Sequence, residues 1–311
     1  MSNRKINVIV FLIVALVTSS CAGPEEAPDH PADYLGQSPP GKTPKIFAPG
    51  IISTDASELN CAFTPDLKEV YFTVRQDGVN TVMVVKMDGE SWSERKVADF
   101  SGSFGDVDPF ITSDGKRLYF SSQRPLDKKG ESKDSDLLYV DRTEDGSWGS
   151  PVLLKELSSQ GKDEYYTSID KSGTLYFSIF ETHDSPGDIY RAESQEGVYN
   201  QPERIDYSIS TEFNEHDPFI SPDGSYLIFA SDRPEGMGRG DLYISFSTED
   251  GSWTSPQNMG KTINTEGYEY APLLSPDGKY LFFTRYTSGQ GDIYWIDANV
   301  IEFFNPYEMK R

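Results

Sequence analysis

The sequence is poor in cysteine, histidine and positive charge, and each shortage excludes a class of protein. Two cysteines and three histidines among 311 residues cannot build a disulfide-stapled mini-protein and leave few bases for catalysis. The formal charge of -22, from 28 basic and 50 acidic side chains, would repel a nucleic-acid backbone or an anionic membrane surface. The sequence has no series of long apolar runs, which excludes a polytopic membrane protein. Its 18 tyrosines and 18 phenylalanines nevertheless supply enough apolar area for a folded core.

The N-terminus is typical of an export signal. Two basic residues precede an apolar stretch over residues 6–17, which is too short for a comfortable membrane span. Small residues then lead to Cys21, and this pattern resembles a bacterial lipobox, with Thr18 where that pattern prefers leucine. The resemblance implies that residues 1–20 are a signal peptide and that Cys21 carries the lipid. An ordinary secretory signal is the alternative.

The next segment predicts a tether between the lipid and a folded domain. Residues 21–42 hold five prolines among acidic side chains, which favours an extended and disordered chain, and the domain is expected over 43–311. By resemblance to envelope lipoproteins, Ala22 argues against retention at the inner membrane. This resemblance implies a protein of the bacterial cell envelope, held at the outer membrane and facing the periplasm or the cell surface. Its contact with the membrane would be through the lipid alone.

An internal repeat is the strongest pattern in the sequence. Hairpin signatures such as FISPDGSYLIF end at Phe72, Phe120, Phe229 and Phe283, and a shorter copy ends at Phe177. Successive endpoints are 48, 57, 52 and 54 residues apart. This spacing fits four short strands with their turns, and a series of such units is typical of a β-propeller.

The order within each unit predicts strands a to d of a propeller blade. An apolar run, a turn such as SPDG at 221–224 and an aromatic-rich run give strands a and b, and a D-x-Y run gives strand c. A DG turn followed by tryptophan then leads to strand d. The last unit lacks strand d, but residues 43–54 resemble the d strand at 255–266. The sequence therefore predicts an all-β, five-bladed β-propeller of four-stranded antiparallel blades, closed by an N-terminal d strand that completes the last blade.

These motifs together are similar to the WD40-like (PD40) repeats of TolB-like periplasmic propellers. The resemblance rests on the SPDG hairpins, the SSQRP and ASDRP segments, the D-x-Y strands and the DGSW turns, and covers roughly residues 43–300. It implies a binding propeller of the envelope. TolB has six blades and an additional N-terminal domain, and this sequence shows neither, so its partner is not carried over.

Every unit carries a carboxylate where the chain enters strand a, on the face that gathers the d-to-a connections. These five acids, with the arginines that end strand b in four blades, are Glu58, Asp106, Glu164, Glu215 and Glu269, and Arg75, Arg124, Arg233 and Arg285. Five like charges at one channel mouth would need cations, raised pKa values or partners. The pattern therefore allows two interpretations: ion pairs that anchor each blade, or a metal or cationic ligand site at the mouth.

Blade three departs from the pattern. Residues 177–181 offer no arginine, so Glu164 is expected to be unpaired, next to His183 and Asp184 in the following loop. The irregular unit is either a ligand site or a blade that has drifted. Asp108 and Asp217 precede prolines and are either further ligands in the channel or ordinary turn residues at the start of a strand.

We therefore expect a monomeric binding or scaffolding module. The five acids, His183 and Asp184 would form its ligand-binding face, the four arginines would support it, and its partner would be an envelope protein, peptide or glycan. No cofactor is predicted, and a divalent cation at the mouth is left open. The sequence lacks the motifs of serine hydrolases, zinc proteases and nucleotide-binding loops. A carboxylate-dependent glycan hydrolase is the alternative, because many acids converge on the mouth.

Overall fold

Five four-stranded antiparallel sheets lie in a ring around a central channel, in a computed structural model that describes residues 33–125, 134–195 and 197–307. The predicted all-β, five-bladed propeller is confirmed. The signal peptide, Cys21 and most of the tether lie outside the described residues. Within the described part of the chain, no helix has the length and apolar character needed to cross a membrane.

The strands follow the predicted order a to d in every blade. Their bounds are Ser57–Phe63, Glu69–Gln76, Val79–Asp88 and Lys96–Val97 in blade 1; Asp106–Ile111, Arg117–Ser122, Asp136–Asp141 and Val152–Leu153 in blade 2; Asp163–Ile169, Leu175–Phe180, Gly187–Ala192 and Glu203–Arg204 in blade 3; Glu215–Ile220, Tyr226–Ser231, Asp241–Phe246 and Gln257–Asn258 in blade 4; Tyr268–Leu274, Tyr280–Thr287, Gln290–Asp297 and Lys45–Ile46 in blade 5. The short strand Ser91–Trp92 extends blade 1, and Ser194–Gln195 pairs with Val198–Tyr199. One α-helical turn, Gly260–Ile263, and two 3₁₀ segments, Asp33–Gly36 and Ala298–Phe304, complete the elements.

The ring is closed by the N-terminal d strand, as the sequence predicts. Lys45 faces Trp295 and Ile46 faces Tyr294 in an antiparallel register. This pairing covers the edge of the last blade, which would otherwise expose unpaired backbone groups.

The a-to-b turns define one face of the ring, which we call the lower face. In blade 4 the turn is closed by the Gly224 amide, which donates to the Ser221 carbonyl at 2.9 Å. Asp223 accepts from the Ser225 amide at 3.1 Å, and Gly224 adopts a φ of 72° that suits glycine. The d-to-a connections and the b-to-c loops lie on the opposite, upper face.

The folded domain begins earlier than predicted. Tyr34 and Leu35 are buried in the aromatic core between blades 5 and 1, and the Tyr34 hydroxyl donates to Asp277 at 2.6 Å. Asp277 belongs to the a-to-b turn of blade 5, so the chain reaches the propeller at its lower face. The sequence interpretation placed 33–42 in the tether because proline and acidic residues dominate there; two apolar side chains were enough to dock the segment.

Apolar side chains between neighbouring sheets hold the blades together. Phe63 of blade 1 packs against Phe47 and Phe282 of blade 5, with ring centroids 5.8 and 4.8 Å apart. Trp148 of blade 2 donates its indole N–H to the Tyr71 hydroxyl of blade 1 at 2.7 Å. Trp148, which follows a DG turn, thus packs between two sheets.

Candidate ligand-binding site at the upper mouth of the channel

The five repeated acids do not line the channel mouth. Glu58, Asp106, Glu164, Glu215 and Glu269 are each 0% exposed, and none of them contributes to the wall of the cavity at the upper mouth. Their predicted placement on the ligand-binding face is therefore wrong. Side chains alternate along a strand, so an acid that points away from the channel puts its neighbours in strand a on the channel side.

The buried acids hold the connection that leads into strand a. Glu215 accepts from the backbone N–H and the hydroxyl of Thr211, both at 2.7 Å. Glu58 and Glu269 make the same pair of bonds with Thr54 and Thr265. The carboxylate thus accepts hydrogen bonds from a backbone N–H and a hydroxyl that would otherwise lack partners in the turn, so its role is structural.

Three of the four predicted acid-to-arginine pairs are present. The nitrogen-to-oxygen distances are 2.7 Å for Arg124 and Asp106, 3.1 Å for Arg233 and Glu215, and 2.8 Å for Arg285 and Glu269. Each arginine also donates to a backbone carbonyl in the preceding connection: Phe100, Ile209 and Ile263, at 3.0, 2.7 and 2.8 Å. A guanidinium shared between a carboxylate and a carbonyl fastens strand b to the connection before strand a.

The predicted Glu58–Arg75 pair is wrong. Glu58 faces Val74 across the ladder, so the next residue, Arg75, projects from the other side of the sheet. Arg75 is exposed and lines the upper cavity. Arg95 lies near Glu58 instead, with Nη1 3.7 Å from Oε1. Counting arginines along the sequence missed this one-residue difference in register.

Glu164 is the exception that the sequence predicts. Its Oε1 accepts from the Ser159 amide at 3.1 Å, and its Oε2 has no hydrogen-bond partner in the described structure. Burial raises the pKa of Glu164 to about 9, so this carboxyl is protonated at neutral pH. Glu181 occupies the place of the arginine and instead binds Lys162 at 2.7 Å.

The blade-three loop reaches the rim of the cavity. His183 lines it, with its side chain 82% exposed and Nδ1 3.5 Å from Asp163 Oδ2. Asp184 is exposed in the same loop but is not part of the cavity wall. The irregular blade thus pointed to a loop that does reach the cavity rim. Of its two polar candidates, His183 lines the cavity and Asp184 does not.

The cavity at the upper mouth, which we call the upper-mouth cavity, has a volume of about 1280 Å³. Aromatic side chains form much of its wall: Phe104, Tyr165, Phe180, Tyr268, Tyr270 and Tyr286. Tyr165, His216 and Tyr270 directly follow the repeated acids in sequence, so the alternation of strand a could have indicated them. The sequence interpretation followed the repeated residue and therefore missed its neighbours.

A chain of hydrogen bonds connects three side chains of this wall. His216 Nδ1 lies 3.1 Å from Asp217 Oδ1, and His216 Nε2 contacts the Tyr268 hydroxyl. The Nδ1–H tautomer of His216 satisfies both contacts, with Nδ1 donating to Asp217 and Nε2 accepting from the Tyr268 hydroxyl. Gly240 lies against the Tyr268 ring, where a Cβ atom would overlap it. Blade 4 and its loop therefore fix the orientation of Tyr268.

Asp108 and Asp217 line the deeper part of the same cavity. They occupy matching positions at the strand-a irregularities of blades 2 and 4, with φ of 60° and 52°. Asp217 Oδ2 accepts from the Ala271 amide of blade 5 at 3.1 Å. Desolvation, reinforced by the charge of Asp217, raises the pKa of Asp108 well above its usual range. The ionised form of Asp108 is therefore disfavoured in this site.

The oxygen atoms of the cavity are not arranged as a metal centre. Across residues 33–125, 134–195 and 197–307, no group of three or more His, Cys, Asp or Glu side chains is placed to hold a metal ion.

Comparison with known proteins shows the fold. No protein-family model matches the chain, and no curated protein matches its sequence. Among solved structures, a putative TolB from Agrobacterium tumefaciens has a TM-score of 0.52 and 16% identity, covering 79% of this chain and 78% of that one. TolB from Acinetobacter baumannii has a TM-score of 0.51 and 15% identity, covering 80% and 54%. The catalytic domain of a GH62 α-L-arabinofuranosidase from Coprinopsis cinerea has 0.50 and 10%, covering 82% and 97%.

These structural similarities define the fold of the protein. The chain has a TolB-like β-propeller fold. The same fold also resembles that of a glycosidase domain, so the fold by itself fits a binding module without assigning a ligand.

Proposed function

We propose that this protein is a lipid-anchored module of the bacterial cell envelope, held at the outer membrane through Cys21, that binds a protein, peptide or glycan at the upper-mouth cavity without covalent chemistry. The observation that carries this proposal is that the repeated acids are buried, whereas other residues line the cavity. The five repeated carboxyls are 0% exposed, and four of them hold the chain or an arginine in place, while the cavity is walled by aromatic rings and loop residues. Rigid scaffolds with adaptable loops around a recessed aromatic surface are suited to recognition.

The point at which the chain joins the propeller supports the same role. Tyr34 docks at the lower face through Asp277, so a tether that starts at Cys21 leads to the face opposite the cavity. Twelve residues separate Cys21 from Tyr34, which span at most about 40 Å when extended. A lipid-anchored propeller would then present its upper mouth away from its own anchor.

Photo-crosslinking in intact cells tests the proposal. A photoreactive residue at His183, which is exposed at the cavity rim, should give one recurrent adduct that mass spectrometry identifies. The matched control is the same probe at Ser172, an exposed residue in the a-to-b turn of blade 3. Recurrent capture from 183 and not from 172 supports a binding face at the upper mouth. Equal capture from both positions contradicts it.

Metabolic labelling tests the anchor separately. Lipidation predicts incorporation of a labelled fatty acid that is lost in Cys21→Ser. An unlabelled, freely extracted protein would show that the export signal is an ordinary secretory one.

One observation favours the hydrolase alternative. The repeated acids are too buried to reach a substrate, but Asp108 and Asp217 line the cavity, and burial raises the pKa of Asp108 well above its usual range. Such a pair of carboxyls is the usual source of an acid and a base in glycoside hydrolysis. Release of reducing ends from envelope glycans, abolished in both Asp108→Asn and Asp217→Asn, would establish the enzyme; no release from the wild-type protein would exclude it for those glycans.

A further inference from the structure

We infer that the upper-mouth cavity recognises a protonated primary amine, held between Asp108 and Asp217. This inference names the chemistry of the ligand and rests on the binding role proposed above. It is carried by the acceptor atoms around Asp217, by the two carboxyls in the cavity wall, and by the aromatic side chains above them.

The atoms around Asp217 accept hydrogen bonds. In the Nδ1–H tautomer of His216 the Tyr268 hydroxyl donates to Nε2, which leaves lone pairs on the phenol oxygen for a ligand. Asp217 accepts from His216 on one oxygen and from the Ala271 amide on the other, and each oxygen retains lone-pair capacity. A ligand group that bonds to Asp217 and to the Tyr268 oxygen must therefore bring donors. An ammonium group carries three donors and a positive charge on one atom.

The cavity ends at the level of the two carboxyls. Tyr166 of blade 3 donates its hydroxyl to the Pro272 carbonyl of blade 5 at 2.7 Å. Blades 3 and 5 are not neighbours, so this side chain crosses the channel. An amine that enters from the upper mouth would stop beside Asp108 and Asp217, since Tyr166 interrupts the channel there.

The walls above the carboxyls suit a cation on an apolar stem. The rings of Tyr165, Phe180, Tyr268 and Tyr270 line the path, where they provide apolar contact for methylene groups and a favourable π-face for an ammonium. The two cations of the wall, Arg75 and Arg239, are exposed, and solvent screens their repulsion. A lysine side chain or a chain N-terminus has this shape and charge, as does an amino sugar in part.

Binding of a cation should release a proton. Asp108 is surrounded by Asp217 and by the phenols of Tyr166 and Tyr270, with His216 on the far side of Asp217. Without a ligand, burial and the nearby Asp217 raise the pKa of the Asp108 carboxyl well above its usual range. An ammonium placed between the two carboxyls favours the ionised form and lowers the pKa of Asp108. About one proton should therefore leave for each amine bound.

Calorimetric titration tests the inference with defined probes. Acetyl-Gly-Lys-Gly-amide should bind at least about tenfold more tightly than its norleucine isostere, because charge-assisted hydrogen bonds are lost with the amine. Titrations in buffers of different ionisation enthalpy should show about one proton released at pH 7. Glucosamine against glucose distinguishes an amino sugar from a peptide amine as the source.

Variants locate the site. Asp217→Asn should weaken the lysine peptide about tenfold or more, and Asp108→Asn should abolish proton release even where binding persists. Asp99→Asn removes an exposed carboxylate outside the cavity wall and should change neither quantity. Thermal melts confirm that each variant is folded.

The possible failures are distinguishable. Equal affinity for the lysine and norleucine peptides, or no measurable binding of either, overturns the amine inference. If His183 crosslinking still captures one recurrent partner, the binding role itself stands. Loss of that capture as well removes both.

Discussion

Replacing Glu164 by glutamine should stabilise the protein at neutral and alkaline pH. Glu164 is 0% exposed and its pKa is raised by burial from 4.5 to about 9. Folding therefore keeps a proton on this carboxyl that the unfolded chain releases above pH 4.5. Below pH 4.5 the carboxyl is protonated in both the folded and the unfolded chain, and the folded state is then most stable. As the pH rises from 4.5 towards 9, the unfolded chain loses this proton and the folded chain does not, so the free energy of unfolding falls.

The magnitude follows from the size of this shift. Each pH unit between the two pKa values changes the free energy of unfolding by about 1.4 kcal/mol. At pH 7 the wild-type protein should therefore be less stable than Glu164→Gln by about 3 kcal/mol, an upper figure because buried sites relax around a charge. Glutamine keeps an oxygen for the Ser159 amide and is neutral at every pH.

Urea denaturation at pH 5, 7 and 9 measures the effect. The stability difference between Glu164→Gln and the wild-type protein should be smallest at pH 5 and should grow as the pH rises. Glu215→Gln is the matched control, since Glu215 is equally buried but holds Arg233; that variant should be less stable than the wild-type protein at pH 7. A difference for position 164 that does not change with pH would refute the reasoning.

Two further substitutions test the roles of the arginines and of the N-terminal segment. Arg233→Ala should lower the free energy of unfolding by about 3 to 5 kcal/mol, because it leaves Glu215 charged and buried. Arg75→Ala, at an exposed residue, should change it by less than about 0.5 kcal/mol, and equal melting temperatures for the two variants would contradict the assignment. Tyr34→Phe removes the hydroxyl bound to Asp277 and should cost about 1 to 2 kcal/mol in urea denaturation; an unchanged midpoint would mean that the bond does not fix the segment.

The repeat made the fold predictable, because one blade pattern written five times repeats the same physical information. The closing strand was equally predictable, because the last repeat unit lacks a strand d and residues 43–54 resemble one. The buried position of Glu215 was harder to predict. A charge repeated around a ring suggests a charged mouth, and only the cross-strand register shows that Thr211 and Arg233 satisfy it inside the blade.

The residues of the cavity wall were harder to predict from the sequence for a different reason. His216 and Tyr268 lie 52 residues apart and meet across two blades. Their neighbours in sequence give no sign of this contact, which depends on how the sheets are rotated around the channel. The position of Tyr34 is a similar case, because its partner Asp277 is 243 residues away. Local patterns establish elements and alternation, whereas contacts between blades depend on the assembled ring.

The closing strand has a consequence for how the chain acquires its structure. Lys45 and Ile46 leave the ribosome early, yet their partners Trp295 and Tyr294 lie about 250 positions later. At a synthesis rate of roughly 5 to 20 residues per second, this strand waits for roughly 10 to 50 s before it can pair. Both of its residues are exposed and it is only two residues long, so it is a poor template for pairing with other chains during that interval. Brevity at this position protects the unfinished protein from aggregation.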